Sequence, residues 1–411
     1  MTLEPGTILT AIDPGAARTQ VVVGRYDGQR VEVLATGVAS TVGVNQLDSA
    51  DVSAIATAMV QAVEQARRST TAVVDACWLS VPSSWVQSTV TEGRVEPRRG
   101  AVRRDDVRDA LRAACGRVET PTRLAIHHRV LGWTVDGRRF ATPPVGVRGR
   151  ELGVEVQVTI CPRRTVDIVE RACREANIRL EGLMLETMAA GSSTLTSHER
   201  EQGVALVDMG ATKTTLAIWR GGVLVHHAVL PAGGDELTEA IAQHYRVGLA
   251  EACRIKEGWG CALVERVSDV ESFDVEPLGG LARRESRLGL AQLLEPMVAE
   301  LYHELGEELE RAAGPVGVRT LVLCGGGAWL DGAAELASQA FRRRGVEVRL
   351  GIPGGVGGCS DLTSSTRFAV AVGLLIEASL STRATAFYMN ERARVVRQRK
   401  QFFRDLLRKF L

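Results

Sequence analysis

Two short apolar runs separated by a small polar turn stand near the middle of the chain. Residues 204–207 (VALV) have the pattern of a buried strand, and residues 215–219 form a second run after the turn. The turn holds Asp208 and Gly210, and glycine lets a backbone approach a ligand closely. We predict a β-hairpin whose turn N–H groups converge on an anion. An Asp and a Gly at a strand end also make an ordinary turn, so one hairpin alone is weak evidence.

The same pattern occurs near the start of the chain. Residues 8–24 (ILTAIDPGAARTQVVVG) align with the later hairpin when Asp13 is matched to Asp208. Both copies read Asp-x-Gly-Ala-x-(Arg or Lys)-Thr-x and then three apolar residues, with Arg18 and Lys213 at the basic position. This repetition indicates an internal duplication. Two facing hairpins would hold one polyphosphate from both sides, and the two Asp residues would hold a hydrated Mg²⁺ through its waters.

Two further motifs extend the pattern. Residues 320–332 (TLVLCGGGAWLDG) are a strand followed by three glycines, and residues 251–260 read EACRIKEGWG. With the hairpins, these pieces resemble the phosphate loops, the adenosine loop and the nucleoside-contacting helix of the actin, sugar kinase and Hsp70 superfamily. Within it, residues 199–262 are similar to the FtsA family of bacterial cell-division proteins, and the likeness covers most of the chain.

The resemblance implies an α/β fold: an actin-like two-lobed ATPase fold with duplicated RNase H-like domains, an inserted small α+β subdomain (1C-like) and a C-terminal amphipathic helix. The implied units are 1–82 (subdomain 1A, first part), 83–162 (inserted 1C-like subdomain), 163–193 (1A continued), 194–231 (2A), 232–312 (2B), 313–358 (2A continued), 359–380 (closing helix of 1A), 381–393 (linker) and 394–411 (amphipathic membrane-targeting helix).

The resemblance also implies a set of nucleotide-binding residues, among which Asp13 and Asp208 would hold the metal through water. Glu251 and Lys256 would reach the nucleoside, and the glycine turn before a helix at 233–235 would present N–H groups to phosphate. The full set is Asp13, Gly15, Ala16, Ala17, Arg18, Asp208, Gly210, Ala211, Thr212, Lys213, Gly233, Gly234, Asp235, Glu251, Lys256, Gly325, Gly326 and Gly327.

Glu186 lies where a predicted strand passes into a helix. That place matches the superfamily position that orients the attacking water, where a carboxylate acts as a general base or water positioner. The alternative is a Glu that only favours the helix dipole at a helix start. The sequence leaves both open.

The hairpins depart from the usual family pattern. Pro14, Ala16 and Ala17 stand where the first loop usually carries an apolar residue and two hydroxyl residues, and Thr215 replaces the last Asp of the second loop. We expect Arg18 and Lys213 to supply charge to phosphate in place of the lost hydroxyls. On this basis ATP·Mg²⁺ binding is expected to survive and hydrolysis to be slow or absent.

The remaining pattern predicts ordinary α/β elements. Helices are predicted over 51–68, 104–114, 164–175, 186–197, 239–258, 288–312, 333–343 and 367–380, and strands over 30–34, 73–81, 85–90, 154–160 and 178–185, with an irregular loop from 259 to 280.

Residues 394–411 (RVVRQRKQFFRDLLRKFL) predict a basic amphipathic helix. Its apolar positions are Phe402, Phe403, Leu406, Leu407, Phe410 and Leu411, and basic residues including Arg404, Arg408 and Lys409 fill most of the rest. Such a helix lies in a membrane interface, where each basic residue near anionic lipid contributes about 1 kcal/mol. A helix docked on the body or on another protomer is the alternative.

Composition narrows the functional classes. A chain of 411 residues is too long for one compact core, so two or more domains are expected. Lys plus Arg is 50 and Asp plus Glu is 49, which argues against nucleic-acid binding. The eight cysteines form no CxxC pair, which is typical of reduced thiols in a cytosolic protein. No apolar run reaches the roughly 20 residues of a spanning helix.

The resemblance implies an ATP-binding cell-division protein, peripheral on the cytoplasmic face of the cell membrane at the division site. It would polymerise into actin-like filaments, bind anionic lipids and the C-terminal peptide of FtsZ, and help to recruit other divisome proteins. A pilus-assembly adaptor of the PilM kind and a small-molecule kinase of the superfamily are the alternatives. The tail argues against both, and the inserted subdomain argues further against the kinase.

Overall fold

In the computed structural model of the chain, residues 3–41, 52–313, 317–358 and 363–384 are described. The strands are β1 Ile8–Pro14, β2 Arg18–Tyr26, β3 Val31–Ser40, β4 Ala76–Val81, β5 Gln87–Val95, β6 Arg123–Val135, β7 Arg138–Phe140, β8 Leu152–Pro162, β9 Arg179–Leu185, β10 Val204–Met209, β11 Thr214–Arg220, β12 Val223–Leu230, β13 Ser272–Val275, β14 Arg283–Ser286, β15 Thr320–Cys324, β16 Glu347–Leu350 and β17 Val356–Gly358. The helices are α1 Val52–Arg67, α2 Arg104–Gly116, α3 Arg163–Glu175, α4 Glu186–Thr194, α5 Ser197–Gln202, α6 Gly234–Tyr245, α7 Leu249–Trp259, α8 Arg287–Ala313, α9 Ala333–Arg342 and α10 Ala369–Ala384.

Two sheets that share the order of five strands form the two lobes. The first sheet runs β17-β3-β2-β1-β4-β9 and the second runs β12-β11-β10-β15-β16. Each sheet contains a hairpin, β1–β2 or β10–β11. A third antiparallel strand pairs with the second strand of the hairpin, and a parallel strand pairs with its first strand. The duplication predicted from the two hairpins therefore extends over five strands of each lobe.

The central strands β10, β11 and β15 of the second sheet are buried on both faces, as their apolar sequences require. Alternate residues face opposite sides, because successive side chains of a strand point in opposite directions. Leu206 and Trp219 join the core of the first lobe, whereas Val207 and Ile218 join the core beneath α8 and α9. The two lobes thus share packed apolar surface below the cleft between their hairpins.

Helices α4 and α10 cross closely in the first lobe. A Cβ added at Gly373 would lie 1.7 Å from the carbonyl oxygen of Ala189, so only glycine permits this approach. The contact fixes the start of α4, where Glu186 lies, against the helix that closes the lobe.

Strands β5 to β8 and helix α2 form a small unit between β4 and α3. Its sheet runs β5-β8-β6-β7, and α2 packs on one face over its own apolar core. A Cβ at Gly93 would lie 2.0 Å from the carbonyl oxygen of Ala110, which shows how closely α2 approaches β5. The predicted inserted α+β subdomain has this mixed sheet-and-helix form.

Several local predictions differ from the structure. The helix predicted over 186–197 ends at Thr194, and a separate helix, α5, begins at Ser197. The helix predicted over 239–258 is interrupted, because Arg246 adopts a left-handed conformation with φ of 58° and caps α6 before α7 begins at Leu249. The loop predicted over 259–280 contains β13, which pairs with β14. The chain returns to the first sheet at β17, where Val356 pairs with Val31, three residues before the implied boundary at 359.

The predicted amphipathic helix over 394–411 lies outside the described residues, as does Asp51 at the start of the helix predicted over 51–68. Among the helices that the structure describes, none combines the length and the apolar character needed to cross a membrane.

Candidate functional site

A cleft of about 610 Å³ separates the two hairpins. It is lined by both hairpin tips, by the start of α6, by one face of α7 and by the glycines after β15. Of the residues predicted to bind nucleotide, it collects Asp13, Gly15, Ala16, Ala17, Arg18, Asp208, Gly210, Ala211, Thr212, Lys213, Gly233, Gly234, Asp235, Lys256, Gly325, Gly326 and Gly327, together with Glu186. Residues from distant parts of the chain thus meet at one concave site, which is the usual form of a small-molecule site.

The two hairpin tips have the same internal geometry. The Gly15 N–H donates to the carbonyl oxygen of Arg18 at 3.1 Å, and the Gly210 N–H donates to that of Lys213 at 2.9 Å. A Cβ at either glycine would lie 2.9 Å from the same carbonyl oxygen. The two copies therefore turn alike, and each directs the start of its second strand into the cleft.

Two carboxyl groups, Asp13 and Asp208, end the first strands of the hairpins on facing sides of the cleft. Burial, with the nearby Glu186 carboxylate, raises the pKa of Asp13 to about 6, although a hydrogen bond from Ser80 at 2.5 Å opposes this. Burial, then the charges of Glu186 and Asp13, raise the pKa of Asp208 to about 7. The two groups are held close in a poorly solvated place, which is costly without a cation.

The oxygen atoms around these carboxyls fit a hydrated divalent cation. Gln20 also lines the cleft, and its Oε1 is buried without a hydrogen-bond partner in the part of the chain that the structure describes. Mg²⁺ usually keeps several of its waters, which donate to carboxylate and amide oxygens. Asp13, Asp208 and Gln20 would therefore receive such waters, and the ion would supply the positive charge that the carboxylates lack.

Glu186, the first residue of α4, accepts two hydrogen bonds within the protein. Its Oε1 accepts from the Ser83 backbone N–H at 2.8 Å and from the Lys213 ammonium at 2.6 Å. Both side chains of the ion pair are largely buried, with 13 % exposed for Glu186 and 23 % for Lys213. The ion pair joins the first lobe to the hairpin of the second lobe.

Arg18 makes the corresponding contact from the other hairpin. Its Nη2 donates to both carboxylate oxygens of Glu257, at 2.5 and 2.7 Å. Glu257 lies on α7, in the second lobe. Each hairpin therefore places its basic residue against a carboxylate of the opposite lobe, an arrangement that the sequence did not reveal.

The glycines after β15 form a wall of the cleft. The Gly325 N–H donates to the carbonyl oxygen of Thr366, whose hydroxyl donates back to the Gly325 carbonyl oxygen at 3.0 Å. A Cβ at Gly326 would meet open space, so this position faces the cleft. Nearby, the Arg367 guanidinium lies over the Trp329 ring at 5.9 Å from its centre, in a cation–π contact.

The glycine turn before α6 contacts the second hairpin. The Gly234 and Asp235 N–H groups donate to the carbonyl oxygens of Gly210 and Ala211, at 3.0 and 2.8 Å. These two N–H groups are therefore used within the protein, contrary to the expectation that they are directed at phosphate. The Lys256 ammonium donates to the Gly234 carbonyl oxygen and to the Thr238 hydroxyl, both at 2.6 Å. The turn thus holds the hairpin in place from behind.

Glu251 lies away from the cleft. Its carboxylate accepts from Arg254 at 2.6 and 2.7 Å and from the Glu276 backbone N–H at 3.3 Å. Cys253, Lys256 and Glu257 line the cleft instead. Their spacing of three and four residues puts them on one face of α7, from which Glu251 is turned away by helical periodicity. Glu257 is therefore the acidic residue of α7 that lies in the cleft. The spacing of these residues in the sequence was sufficient to predict this.

Solved structures of actin-like proteins resemble the chain along almost its whole length. The PilM-PilN type IV pilus biogenesis complex matches with a TM-score of 0.62 at 20% identity, covering 91% of this chain and 99% of the matched chain. MreB5 of Spiroplasma citri bound to AMPPNP matches with a TM-score of 0.53 at 14% identity, covering 92% and 98%. The duplicated sheets and the cleft between them, together with these matches, give the chain an actin-like fold.

Sequence comparison identifies the family within that class. The family model for the cell division protein FtsA matches residues 205–373, and the model for the SHS2 domain inserted in FtsA matches residues 84–160. FtsA of Pseudomonas aeruginosa is 28% identical over 381 residues, covering 91% of this chain and 90% of that protein. FtsA of Escherichia coli K12 is 27% identical over 384 residues, covering 90% and 89%. The chain belongs to the FtsA family of cell-division proteins, which confirms the resemblance seen in its motifs.

Proposed function

We propose that this protein is a nucleotide-binding membrane adaptor of bacterial cell division. It binds ATP·Mg²⁺ in the cleft, polymerises on the cytoplasmic face of the membrane and tethers FtsZ there through the FtsZ C-terminal peptide. The observation that carries the proposal is the match to FtsA proteins over about nine tenths of both lengths. Other divisome proteins would join the same assembly.

The cleft supports nucleotide binding by its chemistry. Two hairpins with matching basic residues, two facing carboxylates and an open glycine wall are the groups that a polyphosphate, a hydrated cation and a base require. The nucleotide in the MreB5 structure is consistent with this use of the fold. A nucleotide held by both hairpins would join the lobes, which suits an assembly protein even where hydrolysis is slow. A water-positioning role of Glu186 stays a prediction.

Membrane attachment rests on the sequence of residues 394–411. Phe402, Phe403, Leu406, Leu407, Phe410 and Leu411 supply the apolar face, and Arg404, Arg408 and Lys409 contribute to the basic face. An amphipathic helix of this composition binds a membrane interface through buried apolar area and attraction to anionic headgroups. The protein would then be peripheral to the cell membrane at the division site.

The test is co-sedimentation with anionic vesicles in the presence of ATP·Mg²⁺. The full chain is expected to pellet with the vesicles, and both a chain ending at Asn390 and the double variant Phe403→Glu, Leu407→Glu are expected to remain in the supernatant. Neutral vesicles are the control and should capture less of the full chain. Equal pelleting of all three proteins would exclude this tail as the anchor.

A pilus-assembly adaptor is the second candidate, because the PilM–PilN complex matches the fold over 91% of the chain. At 20% identity that match shows the fold alone. Both family models and the basic amphipathic tail favour the division adaptor. Failure of the full chain to bind either vesicles or the FtsZ peptide would bring the pilus adaptor forward.

A further inference from the structure

The basic residues of the two hairpins occupy equivalent positions in the duplicated fold. Arg18 begins β2 and Lys213 immediately precedes β11, each five residues after the Asp that ends the first strand of its hairpin. Each contacts a carboxylate from the opposite lobe, Glu257 or Glu186, at 2.5 to 2.7 Å. The two cations are thus equivalent in the duplication, whereas their carboxylate partners come from different elements, the start of α4 and α7.

A carboxylate resembles a phosphate oxygen as a partner for a cation. Both are anionic oxygen acceptors, and Arg and Lys bind both through charge-assisted hydrogen bonds. Arg18, Lys213, Glu186 and Glu257 all line the cleft where the hairpins would hold a polyphosphate. A polyphosphate entering between the hairpins therefore meets cations that already have anionic partners.

We propose that Glu257 and Glu186 act as internal phosphate mimics, which occupy Arg18 and Lys213 across the cleft until a nucleoside polyphosphate displaces them. Binding exchanges two interlobe ion pairs for two ion pairs with the ligand. Nucleotide occupancy thereby changes how the lobes are joined, from carboxylate bridges to a bridging polyphosphate. The inference rests on the proposed nucleotide site. It adds that the two carboxylates compete with the nucleotide phosphates for Arg18 and Lys213, which lowers the affinity for the nucleotide.

The Glu186–Lys213 pair gives the sharper test. Its side chains are 13 % and 23 % exposed, whereas those of the Arg18–Glu257 pair are 34 % and 36 % exposed, and solvent weakens exposed ion pairs. Glu257 lies on the helix that is expected to reach the nucleoside, so its replacement would alter more than one contact.

The experiment is a double-mutant cycle on the full chain, with ADP and adenosine as ligands in titration calorimetry. Glu186→Gln removes the competing charge, and ADP is expected to bind at least about 5-fold more tightly, because about 5-fold is the upper value for a solvent-exposed ion pair and this pair is largely buried. Lys213→Met removes a phosphate partner, and ADP binding is expected to weaken about 10-fold. Adenosine has no phosphate, so its affinity should change in neither variant, which also shows that both fold.

The double variant separates competition from simple repulsion between carboxylate and phosphate. If Glu186 acts by occupying Lys213, Glu186→Gln should not increase ADP affinity in the Lys213→Met background, because no ammonium group remains to be released from Glu186. Glu236→Gln is the matched control, since Glu236 lines the same cleft without bonding to either hairpin cation in the described structure. Its effect on ADP affinity should be small in both backgrounds. Glu186→Ala serves as a second variant should the amide disturb the start of α4.

Two results would overturn the inference. Unchanged ADP affinity in both Glu186 variants would show that the carboxylate does not compete. An equal gain with and without Lys213 would show plain charge repulsion. In both cases wild-type protein still binds ADP and the proposed function stands. Wild-type protein that binds neither ADP nor adenosine would instead remove the nucleotide site and the inference together.

Discussion

Replacement of Asp208 by Asn should stabilise the ligand-free protein above neutral pH. Burial, then Glu186 and Asp13, raise the pKa of this carboxyl from 3.8 to about 7. Between these values the folded protein keeps a proton that the unfolded chain releases, so stability falls as pH rises toward 7. At about 1.4 kcal/mol per pKa unit, the ionised group costs the fold up to about 4 kcal/mol at pH 8, and Asn avoids that cost.

The assay is thermal unfolding of Asp208→Asn and wild type from pH 4.5 to 8.5, without nucleotide and with a chelator. The melting temperature of the variant should exceed that of wild type by a margin that grows as pH rises to about 7 and then levels. Asp27→Asn is the control of opposite sign, because N–H groups of Arg30 and Gln29 lower the pKa of Asp27. The melting temperature of Asp27→Asn should not exceed that of wild type above pH 4. A pH-independent margin for Asp208→Asn, or a loss at pH 8, would refute the reasoning.

Two further substitutions test the cleft and the helix crossing behind it. Gly326→Trp should abolish ADP binding in calorimetry while the protein stays folded, because a side chain there enters open space in the cleft. The control Gly132→Trp, which also enters open space but in the inserted subdomain, should bind ADP normally. Unchanged ADP affinity in Gly326→Trp would count against the adenosine-loop assignment. Gly373→Ala should destabilise the protein by about 3 kcal/mol through overpacking, since its methyl would lie 1.7 Å from the Ala189 carbonyl oxygen. Gly116→Ala, which meets no atom within 4 Å, should leave the melting temperature nearly unchanged, and equal melting of both variants would contradict the packing explanation.

The hairpins were predictable because their signal is local and occurs twice. Asp13 and Asp208 align within a motif of a few residues, so spacing alone located both tips. The break at Arg246 was missed because a left-handed residue other than glycine leaves little mark in an otherwise helical pattern. Tertiary packing, with Tyr245 and Val247 buried on either side, holds that conformation.

The site was predictable in its residues but less so in their partners. The family resemblance implies Glu251 as the acidic residue that reaches the nucleoside, whereas the spacing from Lys256 and Cys253 places Glu257 on the cleft face. The ion pair of Arg18 with Glu257 joins residues 239 positions apart, and no local pattern encodes it. Contacts of this kind depend on how the two lobes face each other, which one sequence does not state.

The most direct test of the membrane-adaptor function is recruitment of fluorescent FtsZ filaments to an anionic supported bilayer, with ATP·Mg²⁺ present and the protein either intact or ending at Asn390. The intact protein should bring FtsZ to the bilayer, and neither the shortened protein nor FtsZ lacking its C-terminal peptide should give a membrane signal. FtsZ that stays in solution despite intact protein bound to the bilayer would contradict the tethering function.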